Sequence, residues 1–138
     1  MTSMSQAEIN ELLAQPHVAV LGTTDADGSP ALAPVWYRWR EGEALVLTQT
    51  YTRKWRNIER DPRVSLCVDT KEAPYRAVIL EGRAEVVPGA DYRALLHEIA
   101  THYLGARGGD AYMRRTTERP ETSMVMRLRP ERVISWAY

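Results

Sequence analysis

The sequence has a single cysteine, Cys67, and so cannot form an internal disulfide bond. No apolar run approaches the roughly 18 residues that a membrane-spanning helix needs. The N-terminal stretch has neither the basic nor the apolar region of a secretory signal peptide. These absences predict a cytoplasmic protein with no membrane segment.

The chain also lacks net charge, because 18 Lys and Arg residues are balanced by 18 Asp and Glu residues. A domain that binds nucleic acid along its surface is usually strongly basic. We therefore expect no nucleic-acid partner, and any cationic site must be local. The length of 138 residues is typical of one domain, so we predict a single domain that covers residues 1–138.

Several motifs that mark catalytic or cofactor sites are missing. Neither a Rossmann nor a Walker glycine pattern occurs, and there is no Gly-x-Ser-x-Gly nucleophile elbow. The three histidines, His17, His97 and His102, do not have zinc-ligand spacing, so we predict no metal site. A catalytic function would therefore need a reactive group supplied by a cofactor.

The sequence does contain a series of short β-rich runs with turns between them. The predicted strands are residues 17–24, 30–39, 44–48, 63–69, 76–87, 123–128 and 132–137. The predicted helices are residues 5–15, 52–60, 89–105 and 110–118. About six antiparallel strands with short turns and added helices favour a small, mainly β barrel over a parallel α/β sheet.

Cationic side chains are concentrated at the start of the second predicted helix. Thr52 is its predicted N-cap, and Arg53 and Lys54 follow directly. A helix N-terminus offers unpaired N–H groups and partial positive charge, so this combination suits a phosphate monoester. The alternative is a solvated helix face on which the arginines pair with acidic residues that follow them.

The same segment resembles a known family. Its Thr-Arg-Lys, Asn-Ile and Asp-Pro-Arg-Val-Ser-Leu pattern is similar to that of the flavin-binding split-barrel proteins of the pyridoxamine 5'-phosphate oxidase superfamily. Six further stretches resemble the F420-dependent oxidoreductase branch of that superfamily, in the same order: residues 22–30, 34–37, 74–78, 80–85, 103–105 and 127–136. The resemblance spans most of the chain.

The resemblance implies a six-stranded antiparallel split barrel of the Greek-key, FMN-binding type, and a homodimer with two cofactors in grooves between the subunits. It implies that Arg53 and Lys54 hold the cofactor phosphate, with hydroxyl contacts from Thr48 and Thr52. It places further residues beside the cofactor: Pro34, Val35, Trp36, Tyr37, Tyr75, Arg76 and Trp136.

Some of these assignments have structural alternatives. Neighbouring strand residues point to opposite faces, so at most one of Trp36 and Tyr37 can line the pocket while the other packs in the core. Tyr75 and Arg76 would reach the cofactor across the subunit interface, or else lie on a surface loop. Trp136 would lie near the cofactor ring or in the core.

The resemblance also indicates the chemistry. The chain lacks the C-terminal Arg-Ser and Trp arrangement of pyridoxamine phosphate oxidases proper, and it has no histidine after His102, unlike haem-degrading relatives. The expected function is hydride transfer from coenzyme F420 to an electron-poor small-molecule acceptor. FMN is the alternative cofactor, and a non-catalytic flavin or tetrapyrrole binder is the alternative function.

Overall fold

The computed structural model describes residues 2–138. Within these residues the chain forms three α-helices, seven β-strands and a short 3-10 turn. In chain order they are α1 (Gln6–Ala14), β1 (Ala19–Thr24), β2 (Pro30–Val35), β3 (Arg38–Arg40), β4 (Glu43–Gln49), α2 (Arg53–Arg60), β5 (Arg63–Asp69), β6 (Arg76–Val86), α3 (Tyr92–Arg115), the 3-10 turn (Pro120–Thr122) and β7 (Ser123–Ala137).

All seven strands belong to one antiparallel sheet in the order β2-β1-β5-β6-β7-β4-β3. The first and last strands of this order, β2 and β3, are joined by only two residues, Trp36 and Tyr37. The two edges of the sheet must therefore come together, and the sheet curls into a half-barrel. This confirms the predicted mainly β, antiparallel barrel fold.

The sheet has seven strands where a six-stranded barrel was expected, and two of the predicted strand boundaries differ from the observed ones. The predicted strand 30–39 is divided at Trp36 and Tyr37, because β2 pairs with β1 whereas β3 pairs with β4. The two predicted C-terminal strands are instead one long strand, β7. Its register against β6 shifts between Glu81 and Gly82, so the Pro130 region is absorbed as a bulge.

Two apolar clusters stabilise the fold. The larger one fills the barrel and includes Leu66 and Leu80, which face each other across β5 and β6 and are fully buried. Burying a side chain of this size contributes roughly 1.5–3 kcal/mol. The smaller cluster lies between α3 and the outer face of β4 and β7, and includes Leu45, Leu96 and Ile99. This second cluster fixes α3 beside β4.

Helix α1 begins as predicted. The Ser5 hydroxyl accepts a hydrogen bond from Glu8 N at 3.2 Å, and the Glu8 carboxylate accepts one from Ser5 N at 2.9 Å. This reciprocal capping box satisfies N–H groups that the helix itself leaves unpaired. The buried face of α1 consists of Ile9, Leu12 and Leu13, so the helix covers the barrel.

Helix α3 is interrupted at Gly105, where a φ of 80° is incompatible with a continuous helix. The chain folds back there, because His97 Nε2 lies 2.8 Å from Asp110 Oδ1 and Gly109 packs directly against Thr101. The predicted helix end near residue 105 is therefore correct. No helix within residues 2–138 is both long and apolar enough to cross a membrane.

Candidate functional site

The start of α2 is built by two threonine hydroxyls. Thr52 Oγ1 donates to the Gln49 carbonyl at 2.7 Å and accepts from Trp55 N at 3.3 Å, so Thr52 is the N-cap. Thr48 is 2% exposed, and its hydroxyl lies 3.2 Å from that of Thr52. Both hydroxyls are therefore engaged within the protein and hold the helix start in place.

Arg53 points towards the β1–β2 turn and pairs with Asp25. Its Nε donates to Asp25 Oδ1 at 2.8 Å, and its Nη2 donates to Asp25 Oδ2. Arg53, followed by the Asn57 amide, lowers the pKa of Asp25 to about 2. The Arg53 charge is thus neutralised by a carboxylate that the sequence analysis did not connect with the site.

Asn57 and Arg60 fasten the same turn to α2. The buried Asn57 amide donates to Thr23 Oγ1 at 3.1 Å and to Asp25 Oδ1 at 2.9 Å. Arg60 Nη2 donates to the Thr24 carbonyl and, at 3.1 Å, to Asn57 Oδ1. Asn57 therefore supports the helix from inside the protein.

Lys54 lies one residue further along α2 and faces a pocket of about 370 Å³, which we call the Lys54 pocket. Its charged lining groups are Lys54 and Glu118, and its aromatic ones are Trp36 and Tyr112. The remainder of the lining is apolar: Val18, Pro34, Val35, Leu47, Leu96 and Ile99. The volume lies within the range of small-molecule sites.

The Lys54 ammonium is partly removed from water. Burial lowers the pKa of Lys54 below its ordinary value, and the Glu118 carboxylate acts in the opposite direction. Within residues 2–138, Lys54 forms no salt bridge, unlike Arg53. A half-buried cation without a carboxylate partner favours an anionic ligand, because burying an unpaired charge is costly.

Trp36 and Tyr37 point to opposite sides of the sheet junction. Trp36 lines the Lys54 pocket and stacks on Tyr103, with ring centroids 4.9 Å apart and planes 11° apart. Tyr37 is 1% exposed, and its hydroxyl donates to the Leu13 carbonyl at 2.8 Å. The Tyr37 side chain therefore belongs to the barrel core, and only Trp36 faces the pocket.

The other three predicted residues lie outside the Lys54 pocket. Tyr75 is 51% exposed on the loop before β6. Arg76 begins β6, and its backbone N–H donates to Thr70 Oγ1 at 3.0 Å. Trp136 is half-buried on β7, opposite Ala77. A single protomer thus brings Pro34, Val35, Trp36 and Lys54 together and leaves Tyr75, Arg76 and Trp136 apart from them.

The residues of the pocket fit an anionic ligand with a planar ring. Lys54 supplies the charge, Trp36 and Tyr112 supply aromatic surface, and the apolar lining excludes water. Arg53 fits less well, since a phosphate would have to compete with Asp25 for its guanidinium. Within residues 2–138, no group of three or more His, Cys, Asp or Glu side chains could hold a metal ion.

Sequence comparison identifies a family that matches nearly the whole chain. The family model described as pyridoxamine 5'-phosphate oxidase matches residues 5–137. Among solved structures, the conserved hypothetical protein Rv2991 from Mycobacterium tuberculosis is 29% identical with a TM-score of 0.76, and the match covers 97% of this chain and 85% of that one.

Two further solved structures relate the fold to cofactor-binding proteins. An F420 reductase is 26% identical with a TM-score of 0.74, over 91% of this chain and 94% of that one. A FAD-binding protein from Mesorhizobium loti is 22% identical with a TM-score of 0.70, over 97% and 94%. The second similarity is one of fold alone.

Proposed function

Because the chain belongs to the pyridoxamine 5'-phosphate oxidase family, we propose that it is a cytoplasmic oxidoreductase that uses coenzyme F420. The cofactor would occupy the Lys54 pocket, and the hydride acceptor would be an electron-poor small molecule such as a quinone or an enone. The observation that carries the proposal is the half-buried Lys54 ammonium, which forms no salt bridge within residues 2–138 and lies in the same pocket as Trp36. The similarity to an F420 reductase supports the choice of cofactor.

Each part of the site has a defined task under this proposal. Lys54 binds the phosphate ester, since a charge-assisted hydrogen bond contributes about 1.5–3 kcal/mol. Thr52 fixes the direction of α2 and thereby the position of Lys54. Trp36 and Tyr112 contact the ring, and the aliphatic lining keeps water away. The bound cofactor supplies the hydride, whereas the protein positions the reactants.

A second groove, of about 620 Å³, favours F420 over FMN. It adjoins the Lys54 pocket, because both are lined by Tyr112 and Glu118, and it carries Arg115. An anionic polyglutamate tail, which F420 has and FMN lacks, could extend along this groove towards Arg115. FMN remains the second candidate, since Lys54 would bind its phosphate equally well.

We further propose that the active unit is a homodimer. Tyr75, Arg76 and Trp136 lie outside the Lys54 pocket of their own protomer, so they can contribute only if a partner brings them to it. Large apolar side chains are exposed at this side of the protein: Leu32 on β2 is 75% exposed, and Val18, just before β1, is 50% exposed. Val18 also lines the Lys54 pocket, which suits a pocket completed by a second subunit.

The test has two parts. The purified protein is first titrated with F420 and with FMN to measure binding. The absorbance of the reduced cofactor is then followed in the presence of the protein after menadione is added. We expect F420 to bind more tightly than FMN, and reduced F420 to be oxidised only when protein and menadione are both present. An Arg115→Ala variant should weaken binding of F420 but not of FMN.

Other outcomes would support other functions. Binding of F420 or FMN, without oxidation of the reduced cofactor when menadione or biliverdin is added, would support a non-catalytic binder. Tighter binding and faster turnover with FMN would support the FMN-dependent alternative. Failure of both cofactors to bind would overturn the proposal.

A further inference from the structure

Glu118 enters the Lys54 pocket from the segment that follows α3, and one of its oxygens is held in place. Tyr92 Oη donates to Glu118 Oε2 at 2.8 Å. Burial raises the pKa of Tyr92, so its hydroxyl keeps its proton and acts as the donor. The backbone of the segment is fixed as well, since Glu118 N donates to Thr116 Oγ1 at 3.2 Å.

Behind Tyr92 lies a buried polar network. Gln49 Nε2 donates to Tyr92 Oη at 2.6 Å, and Ser123 Oγ donates to Gln49 Oε1 at 2.9 Å. The Gln49 carbonyl also accepts the hydrogen bond from Thr52. One residue thus connects the N-cap of α2 with the Glu118 carboxylate. Such networks are costly to bury unless each member is paired, and in return they fix side-chain positions.

The second oxygen of Glu118 has no such partner. Within residues 2–138, no donor lies within hydrogen-bonding distance of Oε1, and Glu118 forms no salt bridge with Lys54, although both line the pocket. The two opposite charges therefore share one pocket without forming a contact ion pair, although the Glu118 carboxylate acts to raise the pKa of Lys54. A ligand between them would meet a cation on one side and an acceptor-only carboxylate on the other.

We infer that Glu118 is a specificity-determining residue, whose Oε1 accepts a hydrogen bond from a ring N–H of the bound ligand. The inference rests on the proposed function, in that it concerns the ring of a flavin or deazaflavin, which carries an imide N–H between two carbonyl groups. Tyr92 is the positioning residue for this contact. The pocket then selects a planar ring that combines a donor for Glu118 with an anionic group for Lys54.

The experiment measures dissociation constants for FMN, for F420 and for the 3-N-methyl derivative of each, in which a methyl group replaces the imide proton. The proteins are the wild type, Glu118→Ala, Tyr92→Phe and the control Glu121→Ala, which removes an exposed carboxylate nearby. Thermal midpoints show whether each variant is folded.

We expect the wild type and Glu121→Ala to bind the unmethylated probe about tenfold to a hundredfold more tightly than the methylated one. Glu118→Ala should bind both probes equally, and Tyr92→Phe should show an intermediate preference. A purely structural role for Glu118 would instead weaken both probes by the same factor, which would overturn the inference.

Two further results distinguish this inference from the proposed function. If the wild type binds FMN or F420 but shows no preference over the methylated derivative, the inference fails while the proposed function stands. If neither cofactor binds the wild type, both fail together.

Discussion

Arg53 and Asp25 form a bidentate ion pair that ties the first residue of α2 to the β1–β2 turn. The adjacent Lys54 has no such partner within residues 2–138 and faces the Lys54 pocket instead. Two neighbouring cations that look equivalent in the sequence are therefore not equivalent in the structure. One is engaged in holding the protein together, and the other is available to a ligand.

Lys54→Met should weaken cofactor binding by about 1.5–3 kcal/mol, because it removes a charge-assisted hydrogen bond but keeps the apolar stem. Arg53→Met should weaken binding less, since Asp25 already occupies its guanidinium. Arg56→Met is the matched control on the same helix, because Arg56 is exposed and donates to the Tyr51 carbonyl at 3.2 Å. Isothermal titration with FMN and F420 checks this order, and an equal or larger loss for Arg53→Met would refute it.

Asp25 should contribute to stability in a pH-dependent way. Pairing with Arg53 lowers the pKa of Asp25 from 3.8 to about 2, so its contribution is complete above pH 3.8 and is lost as the pH falls through about 2. At neutral pH the wild type should therefore be more stable than Asp25→Asn, and the difference should shrink as the pH falls over that interval. Urea unfolding at several pH values measures it, and a difference independent of pH would contradict the prediction.

Trp36 and Tyr37 should give opposite results when each is replaced. Tyr37→Phe should lower the free energy of unfolding by about 1–3 kcal/mol, because the buried Leu13 carbonyl loses its donor, and it should leave the cofactor dissociation constant unchanged. Trp36→Leu should weaken cofactor binding by about 0.5–1.5 kcal/mol through loss of aromatic contact. Denaturant unfolding and cofactor titration of both variants provide the check; a binding defect in Tyr37→Phe would show that the assignment is reversed.

Gly109→Ala should lower the free energy of unfolding by about 1–3 kcal/mol through overpacking. An added Cβ would lie 2.8 Å from Thr101 Cα and 2.9 Å from Thr101 N, and backbone atoms cannot move aside as a flexible side chain can. Gly22→Ala is the control, because its nearest neighbour would be 3.6 Å away, an ordinary contact. Equal thermal midpoints for the two variants would show that Gly109 does not pack tightly against the Thr101 backbone.

Mixing two defective variants tests whether the pocket is shared between subunits. If Lys54 and Arg76 serve one site from different protomers, Lys54→Met and Arg76→Ala homodimers should each bind cofactor poorly. After subunit exchange of equal amounts, half of the dimers are mixed and each has one intact site, so about a quarter of all sites should recover. No recovery, despite exchange shown by labelled subunits, would place both residues in the same protomer or outside the site.

The fold could be predicted well from the sequence because its signals are local. The capping box at Ser5 fixed the start of α1, the glycine at 105 marked the interruption of α3, and strand alternation identified β5. The division at Trp36 and Tyr37 could not be predicted, because it depends on which strands pair at the two edges of the sheet. A β-rich run has the same sequence pattern whether it forms one strand at one edge of the sheet or two strands at opposite edges.

The candidate site was predictable only in part, for a similar reason. The helix start and the segment from Pro34 to Trp36 carry recognisable patterns, and the structure brings them together around Lys54. The pairing of Arg53 with Asp25 and of Tyr92 with Glu118 joins side chains that are far apart in the chain. Glu118 lies in a loop without periodicity, so no sequence signal distinguished it from other surface carboxylates.

The reversal of the chain at Gly105 divides the site between two stretches of sequence. Tyr112 and Glu118 follow that reversal, whereas Trp36, between β2 and β3, and Lys54, on α2, precede it. If Lys54 anchors the ligand, substitutions confined to residues 106–122, between the reversal and β7, should change the ligand preference of the pocket while the anchoring lysine stays in place.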